Sequence, residues 1–370
     1  MQRYINERLD YLDALRGIAI LGVITVHTNV SFKLPILIKS LLSSGSSGVQ
    51  LFFMVSAFTI MYTLDHSKRP ISYTSFLFRR FFRIAPLYYV SIVYYMWQND
   101  LYHIHWHDEK NNITIGNIVS NISFLHGFYP LWFNRLVPGG WSIAIEMMFY
   151  SCIPILYAKI KNLNFAINLL TISIFLQFFL QFILKILHPF GDVDFWGHYI
   201  FMYFPTQFPI FILGIITYLL IDKKRDLHLK PTTILLLSLT ILLSFLADLS
   251  YLISKGVLIS GCFMIIIIAM SQQTYFLFQN KLLVFLGKIS YGIYLVHFAI
   301  LYWLDQYYYL FSFPESSTLL TTIKFLLKIS TVIGFSAIIA FVLHKTIELP
   351  MQKLGKCLIA NYSSKSIPAN

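Results

Sequence analysis

An arginine and a histidine eleven residues apart inside an apolar run are the first place to look for chemistry. The segment LDALRGIAILGVITVH carries Asp13, Arg16 and His27 among aliphatic side chains. On a helix wheel Arg16 and His27 fall within roughly 20° of each other, and Asp13 lies about 60° from Arg16 on the same side. His27 then sits about 16 Å beyond Arg16 along the axis. Ionisable groups at such depth in an apolar helix are costly and mark sites or structural pairs. A neutral imidazole is a general base near pH 7, so His27 is the candidate base, with Arg16 and Asp13 on its face. Two plainer readings stand beside this one. Arg16 could snorkel to an interface, and His27 could bond a backbone carbonyl.

Four further constellations carry polar groups. Glu146 lies in WSIAIEMMFY, five residues in from Trp141. With Trp141 at the outer end of its span, Glu146 is predicted at the depth of His27, within about one turn. It could orient a hydroxyl, fix the His27 tautomer, or staple two helices. The run FLFRRFFRI interleaves Arg79, Arg80 and Arg83 with aromatics. Such a pattern suits an interfacial helix anchored to lipid headgroups or, because guanidinium binds phosphate bidentately, a phosphate clamp. Ser290, Tyr294 and His297 recur at helical spacing with Tyr291 one step round, for interhelical bonding or substrate contact. Lys324 and Lys328 form a helical pair that could snorkel or meet an anionic acceptor.

Metal chemistry has little support. The tract HIHWHDE holds His103, His105 and His107, but no second ligand pair accompanies it. The three cysteines are far apart and form no CxxC pair. No metal site is expected.

The elements that must position these groups are membrane helices. The chain has 370 residues, 57% hydrophobic and only 12% charged. A soluble domain is roughly a quarter charged, so lipid must cover part of this surface. Mean hydropathy is +0.67. The net charge of +12 does not indicate nucleic acid, because the basic residues cluster between apolar spans rather than on one stripe. The predicted architecture is an all-α polytopic membrane bundle of about ten helices. The spans lie near 12–31, 46–64, 84–103, 141–159, 164–187, 203–221, 231–248, 255–271, 287–310 and 319–344. Residues 1–350 form one integral membrane domain, and 351–370 a short cytoplasmic tail. Lys and Arg favour the even connections, so the positive-inside rule places both termini in the cytoplasm and the 104–140 connection outside. The first run, with Arg16 and His27 inside it, reads as a retained helix rather than a cleaved leader.

Several segments together resemble one family. The Arg16-to-His27 spacing within LDALRGIAIL and its continuation resembles the opening of the acyltransferase 3 family, bacterial membrane acyltransferases of surface polysaccharides. GVQLFFMVSAFTI, FRRFFRIAPLYY, WSIAIEMMFY and ISYGIYLVH are similar to its later motifs, in the same order, out to about residue 300. Two positions depart from the family pattern: Gln50 stands where an acid is usual, and Ala57 where a glycine is usual. Gln50 can bond a hydroxyl but cannot act as a base.

The resemblance implies a bacterial inner-membrane enzyme that transfers an acyl group, by resemblance acetyl, from cytoplasmic acyl-CoA to a sugar hydroxyl. The acceptor is an exported polysaccharide or a lipid-linked glycan. Acyl-CoA is a co-substrate, and no cofactor is held permanently. On this expectation Arg16, Arg79, Arg80 and Arg83 hold the nucleotide end. His27, Glu146 and Asp13 form the catalytic set, by direct transfer or through an acyl-histidine. Gln50, Ser56, Trp141, Ser142, Tyr291, Tyr294 and His297 contact substrate. Partners are acyl-CoA, the glycan and membrane lipids, and not nucleic acid. A transporter or flippase for a glycan precursor is the alternative. It would show internal symmetry and discontinuous helices, and neither is evident in the sequence. A signalling receptor would need a larger cytoplasmic region than these short connections provide.

Overall fold

Apolar runs of about 20 residues leave no water for the backbone, so the chain must satisfy its own N–H and C=O groups, and helix is the outcome. The computed structural model describes residues 10–29, 32, 34–67, 71–98, 113–160, 162–187, 193–222, 254–307 and 318–365. Among these residues the regular structure is entirely helical. In chain order the helices are α1 (Asp10–Asn29), α2 (Ile36–Ser43), α3 (Gly48–Asp65), α4 (Tyr73–Gln98), α5 (Ile115–Ile122), α6 (Gly140–Lys159) and α7 (Leu163–Leu187). They continue with α8 (Val193–Met202), α9 (Phe204–Ile221), α10 (Lys255–Gln272), α11 (Lys281–Lys288), α12 (Ser290–Gln306), α13 (Thr318–Leu343) and α14 (Leu349–Lys365).

Among the described residues, seven stretches are long and apolar enough to cross a bilayer. They are Asp10–Thr28, Ile38–Asp65, Gly140–Lys159, Leu163–Leu184, Trp196–Ile221, Lys255–Gln272 and Thr318–Asn361. Helices α11 and α12 make an eighth if taken together, but they meet at an angle of 79°. The expected span at 287–310 is therefore broken near Ile289, and the expectation of continuous helices does not hold there. The described part of the expected span at 84–103, residues 84–98, falls in α4, which is not among the seven. Arg83 and the tyrosines at 88, 89, 94 and 95 make it more polar than its neighbours. The expected span at 231–248 and the histidine tract at 103–109 lie outside the described residues. The segment after 350, expected as a tail, continues as helix α14. It packs on α4, where Gly355 lies against Phe82.

Helix α1 packs against α3, α11, α12 and α13. Its approach to α11 is set by two glycines. A Cβ on Gly17 would run into the Leu283 carbonyl, and one on Gly287 into the Asp13 carbonyl. Small residues at a crossing let backbones touch where no water drives association. A comparable crossing joins α3 and α9. A Cβ on Gly214 would lie 2.9 Å from the Ala57 Cβ. The space lost by alanine at position 57 is restored by glycine on the facing helix.

Candidate active site

Arg16 is held at both ends of its guanidinium. Its Nη1 donates to Asp13 at 2.6 Å and its Nη2 to the Thr59 hydroxyl on α3 at 2.8 Å. Asp13 therefore positions Arg16 and has no contact with His27. The three residues do share one face of α1, as their spacing predicts. Snorkelling is excluded for Arg16, because its side chain turns inward to α3.

One turn along α3 from Thr59 is Ser56. Its hydroxyl donates to Glu146 Oε1 at 2.7 Å. The Tyr150 hydroxyl donates to the same oxygen and lies 3.0 Å from the Ser56 oxygen. Glu146 is thus stapled to α3 and to its own helix, and no bond joins it to His27. The expected equal depth of Glu146 and His27 is corrected by where α6 begins. Residues 136–145 are all buried, so α6 starts inside the bundle rather than at its surface. Counting from Trp141 as a surface residue misplaced Glu146 toward His27. It lies instead about one turn from the level of Arg16.

The buried start of α6 is built on a left-handed turn. Gly139 has φ +76°, which favours glycine. Its carbonyl accepts from the Tyr294 hydroxyl at 3.0 Å, and the Ser142 hydroxyl, 3.0 Å from the same carbonyl, donates its one proton to Tyr294 at 2.8 Å. Asn134 accepts from the Gly139 N–H at 2.9 Å. Behind the turn, the Tyr88 hydroxyl donates to Asn121 at 2.7 Å, and the His126 ring lies 3.0 Å from the Gly140 carbonyl. A carbonyl accepts only, so His126 Nε2 carries the proton in that bond.

Helix α4 brings two of its arginines to the same region. The Arg80 guanidinium lies 5.3 Å from the ring centres of both Phe76 and Tyr150. It is within electrostatic reach of Glu146, Arg83 and Arg16. Arg83 is exposed, and among the described residues it forms no hydrogen bond or ion pair. Arg79 is also exposed. A cavity of about 80 Å³ is lined by Arg16, Arg83, Ser56, Glu146, Tyr150, Ser142, Tyr291 and Tyr294, with apolar side chains between them. Tyr291 also donates to the Ile84 carbonyl of α4 at 2.8 Å, which ties the break at Ile289 to the basic helix.

Three of the expected substrate contacts, Gln50, Trp141 and His297, do not line this cavity. Gln50 is buried at the start of α3, where its amide nitrogen can donate to the Ser46 and Ser47 carbonyls at 3.2 and 3.3 Å. It closes the local turn. Trp141 is buried edge-on to Phe53, with ring centres 6.2 Å apart, and supports the wall from behind.

His27 stands at the other end of α1. The cavity lining stops at Tyr294, whose ring centre is 5.8 Å from that of His297. His297 is in turn 5.5 Å from His27. His27 also packs against Phe298, the rings tilted with centres 4.5 Å apart, and His27 is exposed. Further along, Lys324 and Lys328 are buried rather than snorkelling, and Lys328 pairs with Asp305 and lies over the Phe32 ring. Among the described residues no cluster of metal-ligating side chains occurs.

Three residues with a place in this region were not singled out in the sequence. Thr59 and Tyr150 were legible as the helical neighbours of Ser56 and Glu146. Glu348 was harder: it sits in a wide helical turn, His344–Glu348, with His344 at 2.9 Å. It lies within electrostatic reach of Arg83 and Tyr291.

The acyltransferase domain family designated acyltransferase 3 matches residues 9–344. This chain belongs to that family. A candidate acetyltransferase of Acidianus two-tailed virus is 28% identical over 306 residues, covering 80% of this chain and 84% of that one. A peptidoglycan O-acetyltransferase of Listeria monocytogenes is 26% identical over 161 residues, 40% of this chain and 24% of its own. A candidate O-acetyltransferase of Staphylococcus aureus strain MRSA252 is 26% identical over 390 residues, 96% of this chain and 59% of its own. The chain thus spans most of the viral relative but only part of the two bacterial ones. No solved structure matches it.

Proposed function

We propose that this chain is a multi-pass O-acyltransferase of a bacterial cytoplasmic membrane, moving an acetyl group from acyl-CoA to a sugar hydroxyl of a surface or lipid-linked glycan. The observation that carries the proposal is the cavity between Arg16, Arg83, Glu146 and Tyr150. It combines an uncommitted guanidinium with polar groups inside an apolar bundle. A diphosphate is matched by Arg83 and Arg80, because guanidinium offers two parallel donors to phosphate oxygens. Arg16 is already committed to Asp13 and Thr59, so it contributes charge more than free donors.

On this proposal the Arg16 end faces the cytoplasm, where acyl-CoA is available, and His27 faces the opposite side. The acyl arm runs from the cavity past Ser142 and Tyr294 toward His27. His27 takes the proton of the acceptor hydroxyl as its oxygen bonds the acyl carbon. The thioester C–S bond breaks, the electron pair leaves on sulfur, and the proton passes on to that thiolate. Glu146 holds Ser56 and Tyr150 in place along the route. A neutral imidazole has the basicity for this task near pH 7. The names of the relatives support acetyl as the group and a cell-envelope glycan as the acceptor.

The test is acetyl transfer by purified protein in lipid nanodiscs, using acetyl-CoA labelled in the acetyl group and a surface glycan fraction. His27→Ala should lower labelled glycan by about 10²–10⁴-fold while leaving acetyl-CoA binding and folding intact. Transfer at the wild-type rate in that variant would overturn the mechanism. The 79° break between α11 and α12 favours a second reading, since discontinuous helices line the binding sites of transporters. A glycan flippase would move labelled precursor across proteoliposomes without acetyl-CoA and would not be stabilised by it.

A further inference from the structure

We propose that His297 is the positioning partner of His27: its bare Nε2 accepts the N–H of the catalytic imidazole, directly or through one water, and so fixes which His27 nitrogen meets the acceptor hydroxyl. The proposal rests on His27 acting as the base described above.

His297 is fully buried. Its Nδ1 lies 3.2 Å from the Ile293 carbonyl, one turn back in α12. A carbonyl oxygen can only accept, so Nδ1 carries the proton and the neutral ring leaves Nε2 with an exposed lone pair. That Nε2 has no hydrogen-bond partner among the described residues. A buried acceptor without a donor is destabilising, and such an atom needs a reason.

Among the rings in contact with it, one offers an uncommitted donor. Tyr294 on the same helix is committed, its hydroxyl donating to Gly139 and accepting from Ser142. Phe298, at 4.1 Å between ring centres, has no donor. Tyr95 of α4 donates to the Leu295 carbonyl. His27 of α1 remains, with its ring centre 5.5 Å away and no hydrogen bond of its own among the described residues. That separation is within the span of one direct bond or one bridging water.

The chemistry explains why a histidine suits this place. Before transfer both rings are neutral, so no permanent charge is buried. As the acceptor hydroxyl gives its proton to one His27 nitrogen, the ring becomes an imidazolium. Its opposite N–H then donates a charge-assisted bond to His297 Nε2, and that bond is stronger than the neutral one it replaces. The interaction grows in the transition state, which is the condition for raising turnover rather than binding.

The experiment compares His297→Leu, which cannot accept a bond, with His297→Gln, whose amide oxygen can. Turnover, KM for acetyl-CoA, KM for the glycan and the melting temperature are measured on each protein in nanodiscs. Leucine should lower turnover about 10- to 100-fold with both KM values unchanged, and glutamine should recover most of the loss. In a His27→Ala background, His297→Leu should remove nothing further from residual transfer, because His297 acts through His27. Equal activity of leucine and wild type would overturn the proposal. So would a rise in glycan KM at constant turnover, or losses in both variants that follow melting temperature. Transfer at the wild-type rate in His27→Ala alone would overturn the assignment of the base instead.

Discussion

The two ends of α1 are built on different principles. Around Arg16, with only Arg83 left unbonded beside it, the polar side chains are tied to one another: Asp13, Thr59, Ser56, Glu146 and Tyr150 form bonds within and between helices. Around His27 the contacts are ring on ring, with His297 and Phe298, and hydrogen bonds are scarce. A saturated network fixes geometry, because each member is costly to leave unpaired. An unsaturated pair of imidazoles keeps a proton position open. The first arrangement suits holding a charged donor, the second moving a proton.

If that contrast is right, the largest effects belong to the sparse end. His27→Ala removes a general base and should lower turnover by about 10²–10⁴-fold, while acetyl-CoA still raises the melting temperature as in wild type. The inverse belongs to the saturated end. Arg83→Ala should raise KM for acetyl-CoA roughly 10-fold with turnover little changed, in line with the loss of one charged hydrogen bond. Added salt should weaken donor binding in wild type more than in the variant. Turnover loss without a change in KM at Arg83 would erase the distinction between the ends.

Glu146 tests the network itself. Glu146→Gln keeps an oxygen for one of the two hydroxyls but loses the charge. Glu146→Ala leaves Ser56 and Tyr150 facing each other alone, at about 1–3 kcal/mol for each group left unpaired. Melting of both variants should place alanine below glutamine and glutamine below wild type. If alanine melts with wild type, Glu146 is not the staple that its bonds indicate.

The sequence showed the kinds of residue better than their register. Arg16 and His27 were legible because helical spacing put them on one face, and the structure keeps that face. The arginine motif was legible as a motif but not in its division of labour. Only the packing of α4 against α6 distinguishes Arg80 over Tyr150 from Arg79 outside. Glu146 was found and then misplaced, because nothing local reveals that α6 begins below the surface on a left-handed Gly139. The break at Ile289 was equally hidden. Each side of it is apolar and helical, and only the departure of α11 toward Gly17 bends the pair. His297 was seen on its helix face, but its partner lies 270 residues away in sequence, beyond any periodicity argument.

Gly139→Ala gives a moderate effect that separates the turn from the chemistry. The left-handed backbone costs a non-glycine residue about 1–2 kcal/mol, and a Cβ there would lie 2.7 Å from the Tyr294 hydroxyl. Melting should fall by a few degrees, and turnover should fall with it, because Tyr294 lies between the cavity and His297. Unchanged turnover at lowered stability would mean that Tyr294 has no part in the route between the two ends.

The smallest effect is predicted inside the arginine motif. Arg79 is exposed and forms no described bond, while its neighbour Arg80 lies over Phe76 and Tyr150. A cation held over two rings contributes about 0.5–2 kcal/mol, and here it also rests against the Glu146 network. Arg79→Ala should therefore change donor KM less than twofold, and Arg80→Ala should change it severalfold and lower melting as well. Lysine at position 79 should be silent, since a headgroup contact needs only charge. Lysine at position 80 should not be, because the planar group that stacks on Tyr150 is gone. A result in which both arginines behave alike would mean that the motif acts as a diffuse basic patch, and the saturated end of α1 would lose its claim to a defined phosphate site.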